Sequence, residues 1–314
     1  MTLPMPANPF GKLAVIAGAG EAGRGAGAAA GLEQALAGRG LDYRLQVATS
    51  PADATRLASA ALQEGYRYLA ALGDDRTVQD VLNGMFVDGR TIVERPVLAV
   101  LPGGAGPSDL ARSFGLPQDL PGAAGHLVGE TTYPFDVMKI QVTGSGGERV
   151  VRYAHNLGEI GLHAAAWRRA SALPRWLGGT RRFLGFWSAY ATARPRSLRV
   201  ETDTKVSELH GWSVIVGNGQ FADDGLRMSP RSFPGDGVLE ALVFTGPKSD
   251  AYRLLPRVFR HGDHVPDPGI AELRAKITVR IEADRRLPVV VDGAHLGSTP
   301  VTFQLIPRPI ELKL

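Results

Sequence analysis

The feature that most constrains this chain is an alternation in its first hundred residues. Short apolar runs break off into glycine and acidic residues, and each break opens a segment with helical period. Leu13–Ala17 ends at Gly18-Ala19-Gly20, Tyr68–Leu72 at Gly73-Asp74-Asp75-Arg76-Thr77, and Val97–Leu101 at Pro102-Gly103-Gly104-Ala105-Gly106. Tyr43–Ala48 is a further strand. Ser50-Pro51 then opens a helix, with Ser50 placed to cap it, Pro51 in its first position and Asp53 in its first turn. Leu32 and Leu36 mark a helix over 28–38, and Val78, Val81, Leu82 and Met85 lie on one face of another. Strands that alternate with helices predict a parallel sheet covered on both faces. Ligands of such sheets bind outside the carboxyl ends of the strands, where these loops fall.

After about Thr131 the pattern changes. Phe135–Val142, Arg149–Ala154, Leu198–Thr202, Trp212–Gly217, Val238–Phe244, Ile277–Glu282, Pro288–Val291 and Val301–Leu305 read as strands, interrupted by helical stretches over Leu173–Thr192 and Ser249–Gly262. The expected fold is therefore α/β: a three-layer α/β domain over residues 1–131, followed by a mainly antiparallel β-sandwich over 132–314.

Composition narrows the chemistry. With no cysteine, disulfides, zinc–thiolate sites, iron–sulfur ligation and a thiol nucleophile are excluded, which fits a reducing cytoplasm. The formal charge is +4 and arginine greatly outnumbers lysine. That bias reads either as a GC-rich coding habit or as attraction to phosphates or an anionic membrane surface. No stretch approaches the roughly 20 apolar residues of a membrane span. Met1–Phe10 lacks the basic and apolar regions of a secretory signal. The expected location is the cytoplasm, with peripheral contact at the inner face of the membrane as an extension. Trp176, Phe183, Phe186, Trp187 and Tyr190, interleaved with Arg175, Arg181 and Arg182, supply either that contact or a core stripe. Nothing points to nucleic acid, and a homodimer is compatible with the sequence.

Two loops carry most of the candidate chemistry. Backbone N–H groups where a helix begins after Gly73 point toward an anion, and a neighbouring carboxylate can hold Mg²⁺ through water. The alternative is that Asp74 and Asp75 only cap that helix. In the second loop, Gly103, Gly104 and Gly106 would let backbone approach a ligand, and Ser108-Asp109 would cap the helix that follows.

Together these loops resemble the signature loops of the diacylglycerol kinase catalytic-domain family, Gly-Gly-Asp-Gly-Thr and Pro-x-Gly-Thr-Gly-Asn-Asp-Phe-Ala-Arg. Gly217-Asn218-Gly219, Met228-Ser229-Pro230, Gly235-Asp236-Gly237-Val238-Leu239-Glu240 and Asp292-Gly293-Ala294 resemble later motifs of the same family, in the same order. His155-Asn156-Leu157 and Gly262-Asp263-His264 fall where it has similar short patterns. The resemblance implies a nucleotide-binding domain of the NAD-kinase and diacylglycerol-kinase type, then a lipid-binding sandwich whose last segment, about 300–314, returns to the first domain. It also implies ATP and Mg²⁺ as cofactors and transfer of the γ-phosphate to a lipid hydroxyl such as that of diacylglycerol.

Carried over, Asp75 is the acid of the first loop and Asp292 the candidate base. Gly18, Gly20, Thr49, Gly73, Asp74, Arg76, Thr77, Gly104, Ala105 and Gly106 line the nucleotide, and Asp236 with Asp224 forms a metal-ordering pair. The chain departs from the pattern at Ala17, Asp74, Arg76, Ala105 and Ser108, and at Ala294, where the family has glutamate. His295 is a conceivable substitute base, while His126, His163 and His261 read as ordinary surface or core residues. A homologue that binds nucleotide or lipid without transferring phosphate is the alternative from another functional class.

Overall fold

The computed structural model describes residues 9–22, 25–103, 108–222, 225–260 and 262–314. The chain forms two compact units, one of residues 1–137 with 307–314, the other of residues 138–306.

In the first unit the strands Tyr43–Val47, Leu13–Ala17, Tyr68–Gly73 and Val97–Pro102 lie side by side, all parallel. Glu311 and Leu312 of the last strand add a further parallel neighbour, opposite Val97 and Leu98. The three inner strands are wholly buried, as their unbroken apolar runs require. On one face Leu13, Val15, Tyr68, Leu72 and Leu101 pack against the Gly25–Leu36 helix and residues 120–127. The helices Pro51–Gln63 and Asp75–Gly84 cover the other face, contacting the first and third strands. This is the expected three-layer arrangement. Residues 120–127 form short helical turns opened by an Asp119 cap.

The register places the functional edge. Ala17 pairs with both Val47 and Leu72, and Gly73 pairs with Pro102, so the strands end level with one another. From Leu13–Ala17 the chain goes outward to Tyr43–Val47 on one side and then to Tyr68–Gly73 on the other. The strand order therefore reverses between the first and third strands, where a crevice opens in sheets of this kind.

The second unit is a β-sandwich, antiparallel throughout the pairings that define it. One sheet runs Ile270–Ala275, Leu239–Phe244, Ser213–Gly217, Leu157–Gly161 and Pro288–Val291. The other contains Val206–Gly211, Arg196–Thr202 and Thr278–Ala283, then Val301–Gln304 of the last strand. Ile160, Val214, Val216 and Val243 from the first meet Leu198, Val200, Ile281 and Phe303 from the second in one core. On the outer side of the first sheet, Leu254 and Val258 of the Asp250–Arg260 helix pack on Leu157, Ile215 and Leu242.

Of the helix expected over Leu173–Thr192 only Thr180–Thr192 is an α-helix, and another, Leu162–Ala172, precedes it. Leu162–Ala172 stops before Pro174, whose ring leaves Leu173 extended, and the second helix starts at Thr180 after Gly178-Gly179. Among the described residues no helix is long and apolar enough to cross a membrane.

Two predictions follow from this packing. A methyl group on Gly84 would overlap the Thr55 carbonyl oxygen and the Ala58 side chain of the adjacent helix. Gly84→Ala should therefore cost about 2 kcal/mol in denaturant unfolding, against the slight gain expected of an unobstructed helix position. In the second unit, Asp267 accepts from both Arg253 and Arg257, and the Arg253 contact leads in pulling its pKa down to about 2. A depressed carboxylate stabilises above its unfolded pKa and loses that contribution as pH falls through the folded one. Asp267→Asn should lower the thermal midpoint at neutral pH, and the difference from wild type should shrink between about pH 4 and pH 2.

Candidate active site

At the carboxyl edge of the first unit, Thr77 is the centre of the packing. It sits one turn into the Asp75–Gly84 helix, and Cβ atoms built on Gly18 or Gly73 would collide with its side chain. Gly73 also has φ 151°, a conformation that favours glycine. These glycines thus let two strand ends close on a threonine.

Asp74 is the cap of that helix: its Oδ1 accepts from the backbone N–H and the hydroxyl of Thr77, both at 3.0 Å. Asp75 does something the sequence did not disclose. Its carboxylate leaves its own helix and accepts from the Ser108 hydroxyl at 2.6 Å, the Asp109 N–H at 2.7 Å and the Leu110 N–H at 3.3 Å. It thereby caps the Asp109–Ser113 helix together with Ser108, whose Oγ accepts from Ala111 N–H. Of the two readings set out for this acidic pair, capping is what the geometry displays, shared between two helices.

The remaining residues of this edge are placed as follows. Thr49 is exposed, and its N–H and hydroxyl both donate to Asp53. Those donors, the Thr49 N–H first and then Arg56, hold the Asp53 carboxyl below its usual range. Asp53 in turn donates its N–H to Ser50 Oγ, the N-cap of the helix. Arg76 is half-buried beside the Asp74 cap, and Gly20 is exposed in the short turn Ala19–Ala22. Gly104, Ala105 and Gly106 lie outside the described residues, as do Asp224 and His261.

In the second unit the later motifs converge. Asp292, at φ 44° in the turn between the last two strands, has its side chain fully buried against His155. Its Oδ2 lies 2.9 Å from His155 Nδ1 and accepts from His155 N–H at 2.9 Å, while Oδ1 accepts from Leu157 N–H at 2.9 Å. The Asp292 N–H donates back to the Leu157 carbonyl. Asn218 donates from Nδ2 to the His155 carbonyl, and a Cβ on Gly219 would overlap the Asn156 side chain. His155-Asn156-Leu157, Gly217-Asn218-Gly219 and Asp292-Gly293 are therefore one hydrogen-bonded cluster.

Next to it, buried Glu240 accepts from Ser229 Oγ at 2.9 Å. Burial pushes its carboxyl above the usual range, and the neighbouring Glu272 carboxylate pushes the same way. Asp236 is exposed and accepts from Val238 N–H across its turn. Ala294 is buried, so no carboxylate stands at the position where the family has glutamate. Exposed His295 has its pKa lowered, mainly by desolvation and then by Arg168. His163 and His264 are held down by burial too, and His264 Nε2 donates to the Met228 carbonyl. Among the described residues, no three His, Asp or Glu side chains stand together as a metal site.

Comparison with known proteins agrees with these motifs. Residues 13–140 match the diacylglycerol kinase catalytic domain, and residues 158–314 match the YegS C-terminal NAD kinase beta sandwich-like domain. The chain belongs to the diacylglycerol kinase and YegS-like lipid kinase family. A diacylglycerol kinase of Mycobacterium tuberculosis (strain ATCC 25618 / H37Rv) is 27% identical over 289 residues, covering 91% of this chain and 89% of its own. One from Bacillus subtilis (strain 168) is 22% identical over 278 residues, covering 87% and 86%. A solved diacylglycerol kinase structure from Bacillus anthracis str. Sterne shares the fold at TM-score 0.66 and 20% identity, over 97% of each chain.

Within this family, the tie made by Asp75 has a measurable consequence. Asp75→Asn keeps the size but puts an N–H donor against the Ser108 hydroxyl or the Asp109 N–H. It should cost about 2 kcal/mol, the scale of a charge-assisted hydrogen bond lost in a half-buried place. Chemical denaturation measures it, and unchanged stability would show that the tie carries no weight.

Proposed function

We propose that this chain is a lipid kinase that uses ATP and Mg²⁺ to phosphorylate the hydroxyl of a membrane lipid of the diacylglycerol type. The observation that carries the reading is the level ending of the strands at the reversal of sheet order, in a chain of a lipid kinase family. That edge gathers Gly18, Gly73, Asp74, Asp75, Arg76 and Thr77.

The residues fit the cofactors in kind. Arg76 suits a phosphate oxygen, and half-buried Asp74 at a helix N-terminus suits a hydrated Mg²⁺, which takes one or two carboxylates and keeps its waters. When bound, Mg²⁺ would neutralise charge on the transferring phosphate. Asp75 fixes the position of the second loop's helix, and Asp236 would order the sandwich side with Asp224. Asp292, backed by the His155 imidazole, is the carboxylate that remains to accept the proton of the lipid hydroxyl.

Particular observations favour a second reading, a homologue that binds nucleotide or lipid without transferring phosphate. The Asp74 carboxylate already takes the Thr77 N–H that an anion would use, both Asp292 oxygens are engaged, and Ala294 supplies no base.

Incubation with labelled ATP, Mg²⁺ and a bacterial lipid extract separates the two. The first reading expects label in the organic phase, reduced about 100-fold by Asp75→Ala. It also expects Asp74→Gly to weaken Mg²⁺-dependent nucleotide binding. No transfer, together with measurable nucleotide binding that Asp74→Gly strengthens, would establish the second reading instead.

A further inference from the structure

We propose that the pair of helices Leu162–Ala172 and Thr180–Thr192 docks on an anionic phospholipid bilayer, placing Trp176, Phe183 and Leu184 in its headgroup layer. The two helices pack through small residues. A Cβ on Gly185 would press on Ala166 and Ala170, and Ala189 continues the same buried stripe. Phe186 and Tyr190 turn instead into an apolar pocket shared with Trp212, Phe244 and Leu254. What remains is an outer face with no partner among the described residues.

That face is apolar. Trp176 is 82% exposed, Phe183 62% and Leu184 43%. Phe183 meets Trp187 with ring centroids 6.1 Å apart, and Trp187 meets Tyr252 at 5.4 Å, itself 63% exposed on the neighbouring helix. The contiguous rings of Phe183, Trp187 and Tyr252, with Trp176 exposed in the turn that joins the two helices, mark an interaction surface, unlike apolar residues scattered singly.

The charge around the patch decides among partners. Between Leu162 and Arg199 the sequence carries eight arginines and neither aspartate nor glutamate. The whole chain nets only +4, so everything outside this segment is net negative. A coding habit would spread arginine evenly; here the excess is gathered in the one segment that carries the exposed tryptophan. A second copy of the chain would bring the same cationic segment against itself, whereas an anionic bilayer complements it. Tryptophan with arginine is the pairing that settles at a headgroup layer.

The inference deepens the lipid-kinase reading, which needs a substrate reached at a membrane, but its test uses no nucleotide, so either can fail alone. The full chain is sedimented with vesicles of phosphatidylcholine containing phosphatidylglycerol, and with phosphatidylcholine alone. Binding to the anionic vesicles should be about ten-fold tighter than to the neutral ones and should weaken with salt. The triple variant W176S/F183S/L184S should lose about ten-fold. Val206→Ser, at an exposed position on another strand, should bind as wild type. All three positions are solvent-facing, and matching circular dichroism melts confirm that the variants fold. Equal binding by the triple variant, no preference for anionic vesicles, or light scattering that shows a dimer dissociated by the triple substitution would overturn the proposal.

Discussion

The Asp75 carboxylate is the interaction on which the first unit's functional edge depends. Parallel strands in register bring their ends level, but level ends alone do not fix the loops that follow. Asp75 begins one helix and spends its oxygens on the first turn of another, accepting from Ser108, Asp109 and Leu110. Asp74 is thereby left to cap the helix that Asp75 does not. Two adjacent acids, one for each helix, make the two loops a single object. The N-termini of both helices carry positive partial charge, so each carboxylate is also well placed electrostatically.

The second unit uses the same device in another setting. Asp292 sits in a tight turn at positive φ and clamps the His155–Leu157 segment through two N–H groups and an imidazole. A buried carboxylate needs such donors, because desolvating it without them is expensive. Two acids that the family resemblance marks for chemistry are thus also anchors between segments distant in sequence. That double duty makes the loss of activity in their variants ambiguous by itself, and gives stability measurements equal weight.

Much of the fold was legible because its signals are local. Unbroken apolar runs such as Tyr68–Leu72 gave the buried strands, and Ser50-Pro51 gave a helix start that the structure displays with its cap intact. The Leu162–Ala172 helix was missed because its alanines and paired arginines carry little period, and its burial comes from contact with Gly185 in the next helix. The strands Leu157–Gly161 and Ile270–Ala275 were missed for a similar reason: pairing with distant strands defines them. In the site, motif order showed which residues matter but not what they touch. Nothing in the spacing of Asp75 and Ser108, or of His155 and Asp292, says that they meet.

The departures from the family pattern are not equal once their surroundings are known. Asp74, where the family has glycine, brings its own compensation, since the added carboxylate caps the helix that it begins. Ala294 brings none in kind: its methyl is buried in the turn beside the Asp292 clamp, and the exposed His295 next to it is biased toward the neutral form. A neutral imidazole can accept a proton, so the position after the lost acid retains a base while losing a negative charge. If the chain transfers phosphate as proposed, the change at 294 bears on how charge is balanced more than on whether a proton acceptor exists. The first loop, by contrast, has gained a negative charge at Asp74 and a positive one at Arg76, an exchange that suits a cation held beside a phosphate as readily as it suits a helix cap.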